Sequence, residues 1–332
     1  MKDKLKELNR IFHPKVVAIV GDKQLNNNYM WLRSMSTLQG KLYSVNIDPN
    51  EAAGIEALGI TNRKSLLDIP EEVDYVYVSV PREVIPRVLD DCIRKKVGGV
   101  ALFTSGYHET NTDEGRQFAE QLTQSATQAG LNLIGPNCLG VFNPRLGIRN
   151  APELYHGKGG PLGFISQSGR NLVDLAAYAD LHGIGISKGV SYGNAYILDS
   201  HDFLEYLLAD EDTRLIGMYL EGTRNGKRLF EVLREGAGKK PVLVWKGGLT
   251  PPGARATASH TGSLAESAAV WEALLWQCGA IQAEGIEDLV DTAKLLLSAP
   301  PLKGPRMGVI SLNGGQCVAM ADTFTRAGLD VP

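Results

Sequence analysis

Short apolar runs alternate along this chain with stretches whose apolar residues recur at helical spacing. Five runs predict buried strands, at residues 16–20, 41–45, 75–80, 99–103 and 131–135. Residues 82–96 and 113–130 predict helices among them. Continuous apolar strands separated by helices are typical of a parallel sheet covered on both faces. We therefore predict a nucleotide-binding type of α/β domain over residues 1–143.

A second series of strands and helices follows residues 144–160, a segment rich in Pro, Gly and Asn that we interpret as a linker. Strands are predicted at 161–166, 185–190, 215–220 and 241–245, and helices at 171–182, 201–209, 226–236, 267–278 and 286–297. This pattern predicts a second α/β domain, so residues 144–298 are assigned to it. A strand at 306–311 and a helix at 316–327 are too few to bury a core. We therefore interpret residues 299–332 as the incomplete start of a third domain.

Composition and charge narrow the class of protein. The net charge is −3, with 43% hydrophobic and 21% charged residues, which is typical of a soluble globular protein and lacks the basic excess of a nucleic-acid binder. The chain has no signal-peptide core and no apolar run near the roughly 20 residues that span a bilayer. These features predict a cytoplasmic protein that binds neither nucleic acid nor membrane.

The four cysteines are widely spaced and form no CxxC pair, so the sequence predicts neither a zinc site nor a disulfide framework. Cys138 could be a nucleophile, but no histidine is near it in sequence. A structural thiol is the favoured interpretation.

His260 stands among small residues, in the segment Ala258–Leu264. We predict a loop of Ser, Thr, Gly and Ala here, through which a large charged reagent could approach an imidazole nitrogen. Histidine can act as a covalent nucleophile, and its neutral form is available near pH 7. An ordinary surface-loop histidine remains the alternative at this point.

Two further sites follow predicted strands of the second domain. Residues 166–169, Ser-Gln-Ser-Gly, open a helix, where free N–H groups and the positive helix end can bind an anion. A plain N-cap explains the same serines. Glu221 follows the strand 215–220 and could hold an imidazole N–H, although a solvated loop acid is the alternative.

The loop after the first strand begins at Gly21 but lacks the later glycines of GxGxxG. Those glycines let the backbone approach a pyrophosphate, so an NAD-dependent oxidoreductase is disfavoured. Residues 104–107 and 135–140 also follow strands. They are predicted at the carboxyl edge of the first sheet, which is the ligand side of such a sheet.

Taken in order, these segments resemble the alpha subunit of the NDP-forming acyl-CoA synthetases. This superfamily includes ADP-forming acetyl-CoA synthetase and succinyl-CoA synthetase. The resemblance rests on VAIVG at 17–21, GPNCLG at 135–140, ISQSG at 165–169, YLEG at 219–222 and SHTGSLAES at 259–267. ISLNGG at 310–315 resembles the start of the family's third alpha-subunit domain.

The resemblance implies a Rossmann-like CoA-binding domain followed by a flavodoxin-like domain that carries a phosphohistidine. Acyl-CoA and phosphate would give an acyl phosphate, whose phosphoryl group would pass to His260 and then to ADP. Glu221 would orient the imidazole. The phosphate would be bound by Ser166, Gln167, Ser168, Gly169, Thr261 and Gly262. CoA would be bound by Gly21, Asn46, Val80, Pro81, Thr104, Ser105 and Asn137.

The resemblance also implies partners. The substrates would be CoA and acyl-CoA, phosphate and a small carboxylic acid. ATP or ADP with Mg would bind an ATP-grasp beta subunit or domain, and the protein would form an oligomer. No metal site is implied in this chain.

Two positions depart from the family pattern. Asp22, Lys23 and three asparagines replace the small, Gly-containing first loop, and Arg170 stands where a small residue is common. The altered loop favours an alternative function, a degenerate, non-catalytic module that binds CoA or senses acyl-CoA. The intact SHTG, YLEG and SQSG motifs favour catalysis.

Overall fold

A six-stranded parallel sheet forms the first half of the protein. The computed structural model describes residues 2–261, 267–300 and 303–332, with only the backbone of residues 2, 26, 27 and 258–261. The strands are β1 (Val16–Val20), β2 (Lys41–Val45), β3 (Thr61–Arg63), β4 (Tyr75–Val78), β5 (Gly99–Leu102) and β6 (Leu133–Ile134). Their order, β3-β2-β1-β4-β5-β6, is the Rossmann order, which reverses between β1 and β4. Strand β1 is buried at every position, as a sheet covered on both faces requires.

The helices of this half are α1 (Lys2–Phe12), α2 (Gln24–Asn27), α3 (Met30–Met35), α4 (Pro49–Ala57), α5 (Ile85–Lys95) and α6 (Asp113–Ala129). Helix α1 is amphipathic and buries Leu8, Ile11 and Phe12. The Phe12 ring stacks on Tyr206 of the second half, with 4.6 Å between ring centroids. The apolar face of α1 therefore joins the two halves.

A second six-stranded sheet follows. Its strands are β7 (Gly140–Phe142), β8 (Leu162–Ser166), β9 (Ile186–Ser191), β10 (Leu215–Leu220), β11 (Val242–Lys246) and β12 (Ile281–Ala283), in the order β12-β11-β10-β8-β9-β7. Strands β8 to β12 are parallel in the flavodoxin-like order, and β7 is antiparallel to β9 at the edge. Its helices are α7 (Gly169–Leu181), α8 (Ser200–Ala209), α9 (Gly226–Gly236), α10 (Pro251–Thr261), α11 (Ala268–Cys278) and α12 (Ile286–Ser298). The predicted pair of Rossmann-like and flavodoxin-like folds is confirmed.

The carboxyl ends of the two sheets meet. The loop after β9 donates backbone hydrogen bonds to the loop after β6, from Asn194 N to Pro136 O and from Tyr196 N to Gly135 O, both 3.0 Å. Gly193 allows the two loops to approach closely, because its φ is +53° and a Cβ there would overlap the carbonyl oxygens of Pro136 and Asn137. The ligand edges of both sheets therefore border one shared region.

Residues 144–154 are mostly packed into the protein, so the interpretation of residues 144–160 as a linker is wrong. Ile148 and Asn150 are buried. Arg149 is buried as well, and its guanidinium donates to Ser34 O at 3.0 Å and to Leu154 O at 2.9 Å. These bonds satisfy the buried charge and fix the segment to the first half. Strand β7, within the range assigned to the first domain, belongs to the second sheet.

Residues from Ser298 to Pro332 form a separate compact unit. Helix α13 (Gly314–Arg326) agrees with the predicted helix at 316–327. The strand predicted at 306–311 is wrong, because its described contacts amount to one isolated bridge between Arg306 and Asp330. An apolar run needs hydrogen-bonded neighbours to become a strand.

Within residues 2–261, 267–300 and 303–332, no helix combines the length and apolar character needed to cross a membrane. The same residues contain no cluster of three His, Cys, Asp or Glu side chains arranged to hold a metal ion.

Candidate functional site

A cavity of about 500 Å³ opens at the carboxyl edge of the first sheet. Its walls come from the loops after β1, β2, β3 and β4 and from the start of α5. The cavity therefore spans the point where the strand order reverses, which is where open α/β sheets bind their ligands. Among the predicted CoA residues, Gly21, Asn46, Val80 and Pro81 line it.

Gly21 is required by the close approach of two strand ends. Its φ is +85°, and a Cβ would overlap the Val80 side chain and lie 2.9 Å from the Ser79 carbonyl oxygen. Its own N–H donates to Val45 O at 3.1 Å. Any larger residue would push the loops after β1 and β4 apart and deform the cavity.

A buried carboxylate orders the loop after β1, in place of the family's glycines. Asp22 is 1% exposed and accepts hydrogen bonds from Lys23 N at 3.1 Å and Leu32 N at 2.8 Å. Asn46 reinforces the turn by donating from Nδ2 to Asp22 O at 2.9 Å, and its Oδ1 accepts from Asp48 N at 3.0 Å. Asn46 therefore contributes chiefly to the form of the cavity wall.

Thr104, Ser105 and Asn137 are not among the residues that line this cavity. They follow β5 and β6, further along the same sheet edge. Thr104 Oγ1 donates to Val80 O at 2.6 Å, and Asn137 N donates to Thr104 O at 3.1 Å. These bonds connect the cavity wall at Val80 to the loop after β6, which in turn contacts the second sheet.

The cavity wall contains three cationic residues that were not among the CoA-binding residues predicted from the sequence. They are Lys23, Lys64 and Arg87. Lys64 follows β3, which is short and polar and therefore was not predicted as a strand. The strand order places the loop after β3 at the cavity. In the sequence, only the run Arg63-Lys64-Ser65, two cations and a serine, could have indicated an anion-binding loop here.

The segment 166–169 forms the turn between β8 and α7. The Ser166 hydroxyl donates to Ser168 O at 2.6 Å, and Ser168 Oγ caps the helix by accepting from Asn171 N at 3.4 Å. Gln167 Oε1 accepts from Glu221 N at 2.8 Å and Gly222 N at 3.0 Å. These side chains thus serve the turn itself. The backbone N–H groups of the first helical turn are the groups best placed to bind an anion.

Glu221 is buried at the end of β10, with 4% exposure. Its Oε1 accepts from the Tyr219 hydroxyl at 3.0 Å. Burial first, and the Glu221 charge second, raise the pKa of Tyr219, so the phenol stays a neutral donor to the carboxylate. The alternative of a solvated loop acid is wrong, because this carboxylate is enclosed.

The surroundings of Arg170 and Cys138 favour a structural role for both side chains. Arg170 is 81% exposed, and its Nε donates to Asp174 one turn along α7 at 2.8 Å. Cys138 is buried, and desolvation raises the pKa of its thiol to about 12. A thiol that stays protonated is a poor nucleophile, so the structural role is favoured.

The backbone at His260 is helical, and the predicted loop is wrong there. Helix α10 begins at Pro251 and continues through Thr261. The side chains of His260 and Thr261, and all of Gly262, lie outside the described residues. Helix α10 packs against residues His108–Thr110 of the first half, in the loop that follows β5. The helix that carries His260 therefore borders the edge that holds Thr104 and Ser105.

Comparisons with known proteins agree with this architecture. The sequence profile described as "CoA binding domain" matches residues 15–144, and "Succinyl-CoA ligase like flavodoxin domain" matches residues 159–296. The alpha subunit of Acetate–CoA ligase [ADP-forming] I from Pyrococcus furiosus is 37% identical over 97% of this chain and 70% of its own length. Acetate–CoA ligase [ADP-forming] I from Archaeoglobus fulgidus is 35% identical, and the alignment covers 97% of this chain and 46% of that protein.

A solved structure shows the same likeness in three dimensions. It is the dinucleotide-forming acetyl-coenzyme A synthetase 1 of Ca. Korarchaeum cryptofilum in complex with phosphate and ADP, with a TM-score of 0.88 and 33% identity. The match covers 98% of this chain and 69% of that one. The chain belongs to the NDP-forming acyl-CoA synthetase family. It spans 70% of the Pyrococcus furiosus alpha subunit and 46% of the Archaeoglobus fulgidus protein.

Proposed function

We propose that this chain is the alpha part of an ADP-forming acyl-CoA ligase. The complete enzyme would interconvert acyl-CoA, ADP and phosphate with acid, CoA and ATP. The main support is the position of α10 against the loop that follows β5. The helix that carries His260 therefore borders the CoA-type domain, and the proposed reaction needs the phosphoryl acceptor close to the thioester carbonyl.

The proposed relay has three steps, of which the first two use this chain. A phosphate oxygen attacks the thioester carbonyl, forming a C–O bond, and the C–S bond breaks as CoA leaves as the thiol. His260 then attacks phosphorus, so that a P–N bond forms, the P–O bond to the acyl group breaks, and the carboxylate leaves. In the third step the phosphoryl group passes to ADP, which would bind with Mg on an ATP-grasp partner.

The site residues have distinct proposed roles. Glu221 accepts the N–H of one imidazole nitrogen, which keeps the other nitrogen of His260 free to attack. The first turn of α7, at Ser168 and Gly169, binds the phosphoryl oxygens through backbone N–H groups. Thr261 and Gly262 follow the histidine and are proposed to contribute to the same phosphate site.

Release of free thiol from acetyl-CoA tests this function on the full chain. Acetyl-CoA is the probe because the relatives are named acetate–CoA ligases. We expect thiol release that requires added phosphate. A sensing module would bind acetyl-CoA without releasing thiol, so tight binding with no phosphate-dependent release would contradict the ligase function and support that alternative.

A further inference from the structure

The cavity of the first sheet contains more cationic than anionic side chains. Lys23, Lys64 and Arg87 line it, together with the carboxylates of Asp48 and Asp91. All three cations are exposed at its mouth, and none of them forms an ion pair or a side-chain hydrogen bond within the described part of the chain. Their charges are therefore available to an anionic ligand.

The two carboxylates of the cavity already have partners in the protein. Asp48 caps α4 by accepting from Asn50 N at 3.0 Å. Asp91 accepts from the Ser65 hydroxyl at 2.7 Å and lies 3.9 Å from the Arg94 guanidinium. Each is partly compensated by these contacts, so the field at the cavity mouth is positive and suits phosphate groups.

The fold assigns different parts of a nucleotide to different loops. In a Rossmann-type sheet the diphosphate lies at the first βα turn, and the ribose lies near the end of the second strand. An acidic side chain there usually binds the ribose hydroxyls, whereas a nearby cation accommodates a phosphate on the ribose. Here the nearest carboxylate, Asp48, is used as a helix cap, while Lys64 and Arg87 line the same cavity.

We infer that Lys64 and Arg87 bind the 3′-phosphate of CoA and make the site selective for CoA over dephospho-CoA. This inference rests on the proposed function. Lys23, in the loop after β1, lies nearer the expected position of the diphosphate. Its ammonium compensates for the missing glycines, because a side-chain cation replaces the backbone N–H groups that a Gly-rich turn would offer. Apolar side chains such as Val45 and Val80 remain to contact the adenine.

Calorimetry of the full chain with CoA and with dephospho-CoA tests this assignment. We expect the parent to bind CoA more tightly. Lys64→Met and Arg87→Met should each weaken CoA binding by roughly tenfold, the low end for a lost hydrogen bond between charged groups. Both variants should leave dephospho-CoA binding unchanged. Lys23→Met should weaken the binding of both nucleotides by the same factor, because both contain the diphosphate.

Lys96→Met is the matched control. Lys96 follows the last residue of α5, is exposed and does not line the cavity. Its loss removes the same charge from the same domain and should change neither affinity. All four side chains are exposed, so circular dichroism and urea midpoints should match those of the parent.

Two results would overturn the inference. If the parent binds CoA and dephospho-CoA equally, or if Lys64→Met and Arg87→Met weaken both to the same extent, the 3′-phosphate is not bound by these residues, although CoA binding itself would stand. If neither nucleotide binds at about 1 mM, which corresponds to about −4 kcal/mol, the proposed CoA function fails and this inference fails with it.

Discussion

Glu221 and Gln167 lie at the ends of the neighbouring strands β10 and β8, and each side chain accepts hydrogen bonds from within the protein. The Gln167 carbonyl oxygen accepts two backbone N–H groups, so only its amide N–H can serve a phosphate. The Glu221 carboxylate accepts the Tyr219 hydroxyl. Sequence motifs indicated these residues but not the bonds from Glu221 N and Gly222 N to Gln167, because these partners are more than 50 positions apart along the chain.

Replacing Glu221 with Gln tests its proposed orienting role. The change keeps the size of the side chain and removes its charge, so the imidazole loses a fixed acceptor for its N–H. Phosphorylation of His260 should slow by about 10–100-fold, a scale taken from the loss of comparable supporting residues in metal sites. Rapid-quench kinetics with labelled acetyl phosphate would measure it.

Tyr219→Phe is the control for this substitution, because it removes the hydroxyl that Glu221 accepts but keeps the carboxylate. Its effect on the phosphorylation rate should be several-fold smaller than that of Glu221→Gln. A Gln variant that reacts as fast as the parent would show that Glu221 only supports the strand end.

At the scale of elements, long apolar runs were predictable and short polar elements were not. Strand β1 is five buried residues, VVAIV, whereas β3 is Thr-Asn-Arg and is held by its pairing with β2. Helix α10 had a local signal, because Pro251 and Pro252 suit the first helical positions and alanines follow. The small residues around His260 indicated a loop instead, because serine, threonine and glycine are frequent in loops.

Gly193 tests the contact between the two sheet edges. Gly193→Ala places a Cβ against the Pro136 and Asn137 carbonyls at a positive φ. The left-handed conformation alone costs roughly 1–2 kcal/mol for a non-glycine residue, and the overlap with backbone adds to it. We expect the free energy of unfolding, from urea titration, to fall by more than about 2 kcal/mol.

Gly183→Ala separates these two contributions. Gly183 also has a positive φ, of +77°, but a Cβ there meets nothing within 4 Å. Its variant should therefore lose only the conformational contribution. Equal losses at the two positions would mean that the loops after β6 and β9 are not held in close contact.

At the scale of the whole molecule, the proposed function depends on two sheets whose carboxyl edges meet. Motifs predicted the two folds and the residues at each edge. They could not predict that α10 packs on residues His108–Thr110, because this contact joins segments about 150 residues apart. The cavity cations were also hidden, since Lys64 and Arg87 come together only when β3 and α5 are placed around the sheet. The domain boundaries at 143 and 298 remain predictions.

The most direct measurement is mass spectrometry of the full chain after incubation with acetyl [³²P]phosphate. The relay requires His260 to take the phosphoryl group and acetate to leave, without any nucleotide. We predict an acid-labile, base-stable label that maps to His260 and is absent from a folded His260→Ala variant. Absence of label from the parent, or label that persists in the His260→Ala variant, would contradict the phosphohistidine relay.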